Sequence, residues 1–132
     1  MKALSVRQPW ADMIASGRKT VEVRSWTTAY RGPILICAAK RADAGGETLP
    51  RGVAVAVCDL VECRPLMPTD AGDAMCDYQP DHYAWVLSSP RPTTPLPVSG
   101  RLGLFSVAIE ISERPDRDRT VASPLELERS TS

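Results

Sequence analysis

The stretch GRKTVEVRSW, residues 17–26, marks a change of period in the chain. Upstream of it Trp10, Met13 and Ile14 share one face at helical spacing, and Gly17 is placed as a C-terminal stop. Downstream, Val21, Val23 and Ser25 alternate with Thr20, Glu22, Arg24 and Trp26, the period of a half-buried strand. A helix of about two turns therefore delivers the chain directly into a strand. One face of that strand is apolar enough for a core. The other carries a hydroxyl, a carboxylate, a guanidinium and an indole, with Lys19 just before them, and reads as the floor of a site.

Working outward, residues 3–7 (ALSVR) predict a short opening strand, and Pro9 in Gln8-Pro9-Trp10 suits the first turn of the helix. Tyr30-Arg31-Gly32-Pro33 punctuates the chain before Ile34–Ala39, a continuous apolar run typical of a strand buried on both sides. Residues 41–51 read as loop, and a long strand starts at Val53, turning amphipathic through Glu62. The Pro- and Asp-rich connection 65–81 has room for one helical turn around Ala71–Met75, and residues 82–87 (HYAWVL) read as the next strand. PRPTTPLPVSG (90–100) predicts an extended crossing of the surface, and residues 103–111 a final strand with Phe105, Val107, Ile109 and Ile111 inward. Domain boundaries follow: one domain over 1–112 and a loosely ordered tail over 113–132. Five or six strands in non-alternating order with one to three helices predict an α+β fold, a small, mainly antiparallel β-barrel.

At 132 residues the chain suits one domain with a real core. No apolar run reaches the roughly 20 residues of a membrane helix. The opening MKALSVRQPW is too polar for the apolar region of a signal peptide, so a cytoplasmic, monomeric protein with no membrane partner is expected. Net charge is zero, but its distribution is uneven. Residues 1–52 hold nine Lys/Arg against four acids, and the remaining 80 hold seven against twelve. That asymmetry predicts a local basic surface for phosphate, unless folding mixes the halves. Cys37, Cys58, Cys63 and Cys76 form no C-x-x-C pair, and His82 is the single histidine, so neither a metal site nor another cofactor is expected. Cys37 and Cys58 lie in apolar runs and read as buried, reduced thiols.

Each candidate site residue also has a plain structural reading. Lys19 is either a solvated lysine or, at a cleft entrance, a phosphate contact or a desolvated base. Glu22 and Arg24, two apart on one face, either pair at the surface or offer an acceptor for an exocyclic amine and a donor for a carbonyl or phosphate. Trp26 and Trp85 are candidates for stacking on unpaired bases, Trp85 equally a core residue, while Trp10 reads as core on the helix's apolar face. Tyr30 and Arg31 end the segment, Arg31 either touching phosphate or bracing the sheet. His82, preceded by Asp81, builds no triad, because adjacent strand side chains point to opposite faces.

LSVRQPWADMIASGRKTVEVRSWTTAYRGPILICAAK (4–40), the long strand at 52–64, HYAWVL (82–87) and PLPVSGRLGLF (95–105) together resemble ASCH domains of the PUA-like superfamily, over roughly residues 2–111. The resemblance implies a PUA-like barrel with flanking helices, a cleft beside the first helix and the next strand, and recognition of RNA or a nucleoside. Some related bacterial members remove the acetyl group of N4-acetylcytidine, and a ribonuclease activity has been attributed to others. Lys19 matches the lysine of the amidohydrolases, but the position of their threonine nucleophile is Glu22, and their helical glutamate has no counterpart in residues 65–81. The chain is closer to the QPW…VExRSW…YRG branch, which resembles the ASCH domain of a eukaryotic transcription coactivator. The expectation is a binding domain for single-stranded RNA, single-stranded nucleic acid more generally, or a modified base, with Lys19, Glu22, Arg24, Trp26, Tyr30, Arg31 and Trp85 as ligand contacts. One alternative is a hydrolase, an N4-acetylcytidine amidohydrolase or a metal-independent ribonuclease, using Lys19 with Thr20 or Ser25. Another is a protein-interaction domain.

Overall fold

The computed structural model describes residues 1–101 and 103–107. Its elements run β1 (Lys2–Val6), α1 (Trp10–Ala15), β2 (Val21–Arg24), β3 (Gly32–Ala38), β4 (Val53–Pro65), a 3-10 turn (Pro68–Asp70) leading into α2 (Ala71–Ala74), β5 (Tyr83–Pro97) and β6 (Leu104–Ser106). Six strands form one curled sheet in the order β2-β5-β4-β3-β1-β6. Every pairing is antiparallel except β1 with β3, which the crossover through α1 and β2 makes parallel. This is the mainly antiparallel α+β architecture that the non-alternating element order predicts. Residues Ile109 and Ile111 and the tail at 113–132 lie outside the described residues.

The apolar run of β3 is buried on both faces, and its alternation divides the core in two. Ile34, Ile36 and Ala38 join Leu4, Val6, Leu60 and Trp85 under Ala11 and Ile14 of α1. Leu35 and Cys37 join Ala3, Val57 and Phe105 on the other face. Burial pushes the thiols of Cys37 and Cys58 up to about 12, so both stay protonated and pack as small apolar groups. None of the four cysteines is in a disulfide.

The proline-rich segment departs from expectation. Rather than crossing the surface by itself, it continues β5, pairing Arg91 with Val57, Pro92 with Ala56 and Leu96 with Ala54 of β4. β2 covers β5 only at Tyr83–Val86, so among the described residues the later half of β5 has a free edge. Proline lacks an N–H to donate, and an edge facing away from the ladder is where a strand tolerates it and discourages further pairing.

The entry to α1 is also built tightly. Gln8 is wholly buried. Its side-chain oxygen accepts the Asp12 N–H at 3.0 Å, and its Nε2 donates to Asp12 Oδ1 and the Pro50 carbonyl, each at 2.9 Å. Gly46 presses on the cis Gln8–Pro9 peptide so closely that a Cβ there would overlap the Gln8 carbonyl. The 39–52 loop is thereby pinned beside the start of α1.

Candidate functional site

At the end of α1 the backbone turns through Gly17, whose φ of +83° suits a residue without a Cβ, and the N–H groups of Arg18 and Lys19 both donate to the Met13 carbonyl. This closure turns Lys19 inward, where it is only 5% exposed. Its ammonium donates to the carbonyl of Ala74 at the end of α2 and lies 3.5 Å from Glu22 Oε1. Glu22, itself 8% exposed, receives the Arg24 guanidinium on its other oxygen at 2.8 Å. Arg24 Nη2 also donates to the Ser5 carbonyl at 2.7 Å, fastening β2 to β1 across the mouth of the sheet. The group is compact and carries more positive than negative charge.

The polar face of β2 turns out to be its inner face. Glu22 stands opposite Trp85 on β5, and directly opposed residues of an antiparallel pair point to one side. Val21 instead joins a satellite cluster with Leu66, Ala74 and Ala84. Lys19, Glu22 and Arg24 therefore sit where the main core opens into a cleft of about 950 Å³. That is at the upper end of the roughly 300–1,000 Å³ usual for ligand sites.

Six cationic side chains line the cleft (Arg7, Lys19, Arg24, Lys40, Arg41 and Arg101) against the acids Glu22 and Asp43. All but Arg101 come from the first 52 residues, so folding brings five of that segment's nine Lys/Arg together here. Trp10 forms part of the wall. Its Nε1 donates to Asp43 Oδ2 at 2.9 Å, Arg7 meets the other Asp43 oxygen at 3.3 Å, and the Lys19 ammonium lies 5.9 Å from the indole centroid.

The remaining sequence candidates lie elsewhere. Trp85 is wholly buried, donates from Nε1 to the Trp26 carbonyl and stacks edge-on against the Trp26 ring at 4.7 Å, so these two indoles brace each other in the core. Tyr30 donates its hydroxyl to the Pro33 carbonyl. Arg31 bridges the carbonyls of Thr28, Tyr30 and Cys63. Thr20 contributes its backbone, donating to Asp73 and accepting from Leu87, and Ser25 is exposed beyond the end of β2. None of these residues lines the cleft. His82 Nδ1 pairs with the Pro80 carbonyl at 2.9 Å. No group of three or more His, Cys, Asp or Glu is arranged to hold a metal among the described residues, nor is any helix there long and apolar enough to cross a membrane.

Sequence reasoning missed Trp10, Arg7 and Asp43 at the wall and the 98–101 segment opposite. Trp10 carries the helical spacing of a core residue. Only the Asp43 carboxylate, from a loop 33 residues away, shows which edge of the indole faces the cleft.

A family model described as ASCH domain matches residues 4–97. Over 35 residues the chain is 54% identical to human activating signal cointegrator 1, a match covering 26% of this chain and 6% of that much longer protein. The fold is similar to the crystal structure of ASCH from Zymomonas mobilis, with a TM-score of 0.63 at 17% identity over 98% of this chain and 94% of that one. A tyrosine-to-phenylalanine variant of the Zymomonas protein superposes with a TM-score of 0.53 at 18% identity, over 73% of this chain and 74% of that one.

Proposed function

The chain belongs to the ASCH domain family, and from that premise we propose that its cleft binds single-stranded nucleic acid, RNA before DNA, and reads one base with the Lys19–Glu22–Arg24 group. The observation that carries this reading is a buried, hydrogen-bonded charge cluster at the floor of a cleft with a markedly cationic lining. Each part has a separate task. The exposed Lys40, Arg41 and Arg101 attract phosphates, which supplies affinity without sequence information. Trp10 offers an aromatic wall to an unstacked base. The floor then supplies the polar groups that tell one base edge from another, a task suited to a splayed-out single strand.

The floor is preorganised for this. Arg24 is held by Glu22 and Ser5, and Lys19 by Glu22 and Ala74, so neither long side chain has to be ordered when ligand arrives. The same geometry disfavours the amidohydrolase alternative. Glu22 occupies the place of the relatives' nucleophile, and a carboxylate so paired is a poor substitute for a hydroxyl that forms and releases an acyl ester.

The test is fluorescence anisotropy of a labelled RNA hexamer against wild type and Lys19→Ala across a salt series, with N4-acetylcytidine and unlabelled RNA incubated alongside and their products separated. Binding that weakens with salt and weakens again in the variant supports the reading. Turnover of either substrate that disappears in the variant replaces it with the hydrolase. Absence of both points to a protein partner.

A further inference from the structure

Among the described residues two buried hydroxyls lack a hydrogen-bond partner, Thr93 Oγ1 and Ser5 Oγ, and the second lies in the wall of the cleft. Ser5 is an economical residue otherwise: its carbonyl holds Arg24, and its backbone runs in register with Cys37 of β3. Its hydroxyl, however, is covered by Gly100. A Cβ on Gly100 would fall 2.7 Å from Ser5 Oγ, so only a residue without a side chain lets the segment pass this near the oxygen. A backbone lying over a hydroxyl excludes water without replacing its hydrogen bond, which makes the covered state the less favourable one.

The covering segment is fastened on either side. Val98 N–H donates to the Gly52 carbonyl at 3.0 Å, and Leu104 pairs with Leu4 of β1. Ser99, Gly100 and Arg101 make no hydrogen bond or ion pair among the described residues, and all three line the cleft. Displacing residues 99–101 breaks no hydrogen bond among the described residues, which keeps its cost low.

We propose that residues 99–101 form a strap that lifts from Ser5 when the cleft fills, and that the uncovered Ser5 hydroxyl donates to a phosphate oxygen of the bound strand while Arg101, carried on the strap, pairs with the same phosphate. This rests on the nucleic-acid reading of the cleft. Ser5 is then a ligand contact whose bond is made only in the bound state, and Gly100 is the residue that permits closure in the free one. The orphaned hydroxyl has a use that the free structure does not show.

The two residues make opposite predictions for stability and binding, which a purely structural role does not. Ser5→Ala removes an unsatisfied group, so the free protein melts at the same or a higher temperature. Its affinity for an RNA hexamer nevertheless falls roughly tenfold, the effect of one hydrogen bond to a charged acceptor. Gly100→Ala drives the strap off the hydroxyl, lowers the melting temperature, and leaves RNA affinity equal to wild type or higher. In the double variant the melting temperature recovers, because the new methyl then lies 3.8 Å from the Cβ of residue 5, an ordinary contact, and meets no oxygen. If Ser5→Ala binds RNA as tightly as wild type, or Gly100→Ala weakens binding as much as Ser5→Ala does, the strap and its contact are wrong while the cleft reading stands. If wild type binds no RNA at all, the cleft reading fails and the phosphate contact with it.

Discussion

Asp70 and Glu22 are both buried carboxylates held by an arginine, Arg64 in the first case and Arg24 in the second. Asp70 takes both terminal nitrogens of Arg64, at 2.8 and 2.9 Å, and the Met67 N–H at 2.8 Å, closing the turn that leads into α2. Arg64 Nε also lies 3.6 Å from Glu62 Oε1, so one cation is answered by two carboxylates and no positive charge is left over. Glu22 is shared by Arg24 and Lys19, so positive charge is left over, and the excess faces a cleft with further cations on its rim. The difference teaches where to look for function. A cation matched or outnumbered by carboxylates has no positive field to spare, whereas a cluster that is satisfied in hydrogen bonds but not in charge has a field to offer an anion.

The strongest way to break this comparison is to remove Glu22. Glu22→Ala leaves Lys19 and Arg24 as adjacent cations in a site largely closed to water, and is expected to cost about 3 kcal/mol of unfolding free energy, read by urea denaturation. Lys19→Met in the same background should recover most of the loss. If it does not, the cations do not repel as the geometry requires and Glu22 matters for packing alone.

Asp70→Ala is expected to cost about 2 kcal/mol, because a carboxylate with charge-assisted hydrogen bonds is lost and the Met67 N–H is orphaned. RNA affinity should not change, which separates the two carboxylates by function. The pH dependence sharpens this. The hydrogen bonds from Arg64, assisted by the Met67 N–H, hold the Asp70 carboxyl below its ordinary value of 3.8. A depressed native value means that the stabilisation is fully present above that ordinary value and is lost as pH falls through the lower native one. Wild type should therefore lose stability below pH 3.8 more steeply than Asp70→Asn does, in melts taken across that range.

A smaller effect tests the cleft side alone. Trp10→Leu is expected to reduce affinity for an RNA hexamer by about 1 kcal/mol, the low end for base–aromatic stacking, with the melting temperature little changed. Equal losses in stability and binding would return Trp10 to the core role that its helical spacing suggests.

The fold was legible wherever a single period ran long enough. The two-sided burial of β3 follows from an apolar run with no polar interruption, and the helix-to-strand change follows from Gly17. Lys19, Glu22 and Arg24 were legible as a group because strand alternation puts them on one side, whichever side that is. Alternation does not say which face meets the main core, and here Glu22 shares its face with the buried Trp85 while Val21 packs on a satellite cluster. The tryptophans show the same limit. Trp26 follows a polar strand face and Trp10 an apolar helical one, yet the ring-to-ring contact with Trp85 draws Trp26 inward and the bond to Asp43 fixes Trp10 at the cleft wall. Prolines at 90, 92, 95 and 97 hid the second half of β5, because only the sheet order shows that this half is an edge.

The least conspicuous prediction concerns the rim. Lys40 and Arg41 follow the end of β3, are exposed, and have no ion-pair partner among the described residues. Each is expected to answer one phosphate of a bound single strand. Replacing either by alanine should then lower the salt dependence of RNA affinity by about 0.7 in log–log slope, by the same amount for every hexamer sequence. Lys19→Ala and Glu22→Gln should instead change the ranking of sequences, because in the proposed mode the floor meets a base edge and the rim meets only the backbone. If a rim substitution alters sequence preference while leaving the slope intact, the two regions have exchanged roles. The excess charge beside Glu22 would then be the phosphate site, and the base would lie further out, against Trp10 and the 39–52 loop.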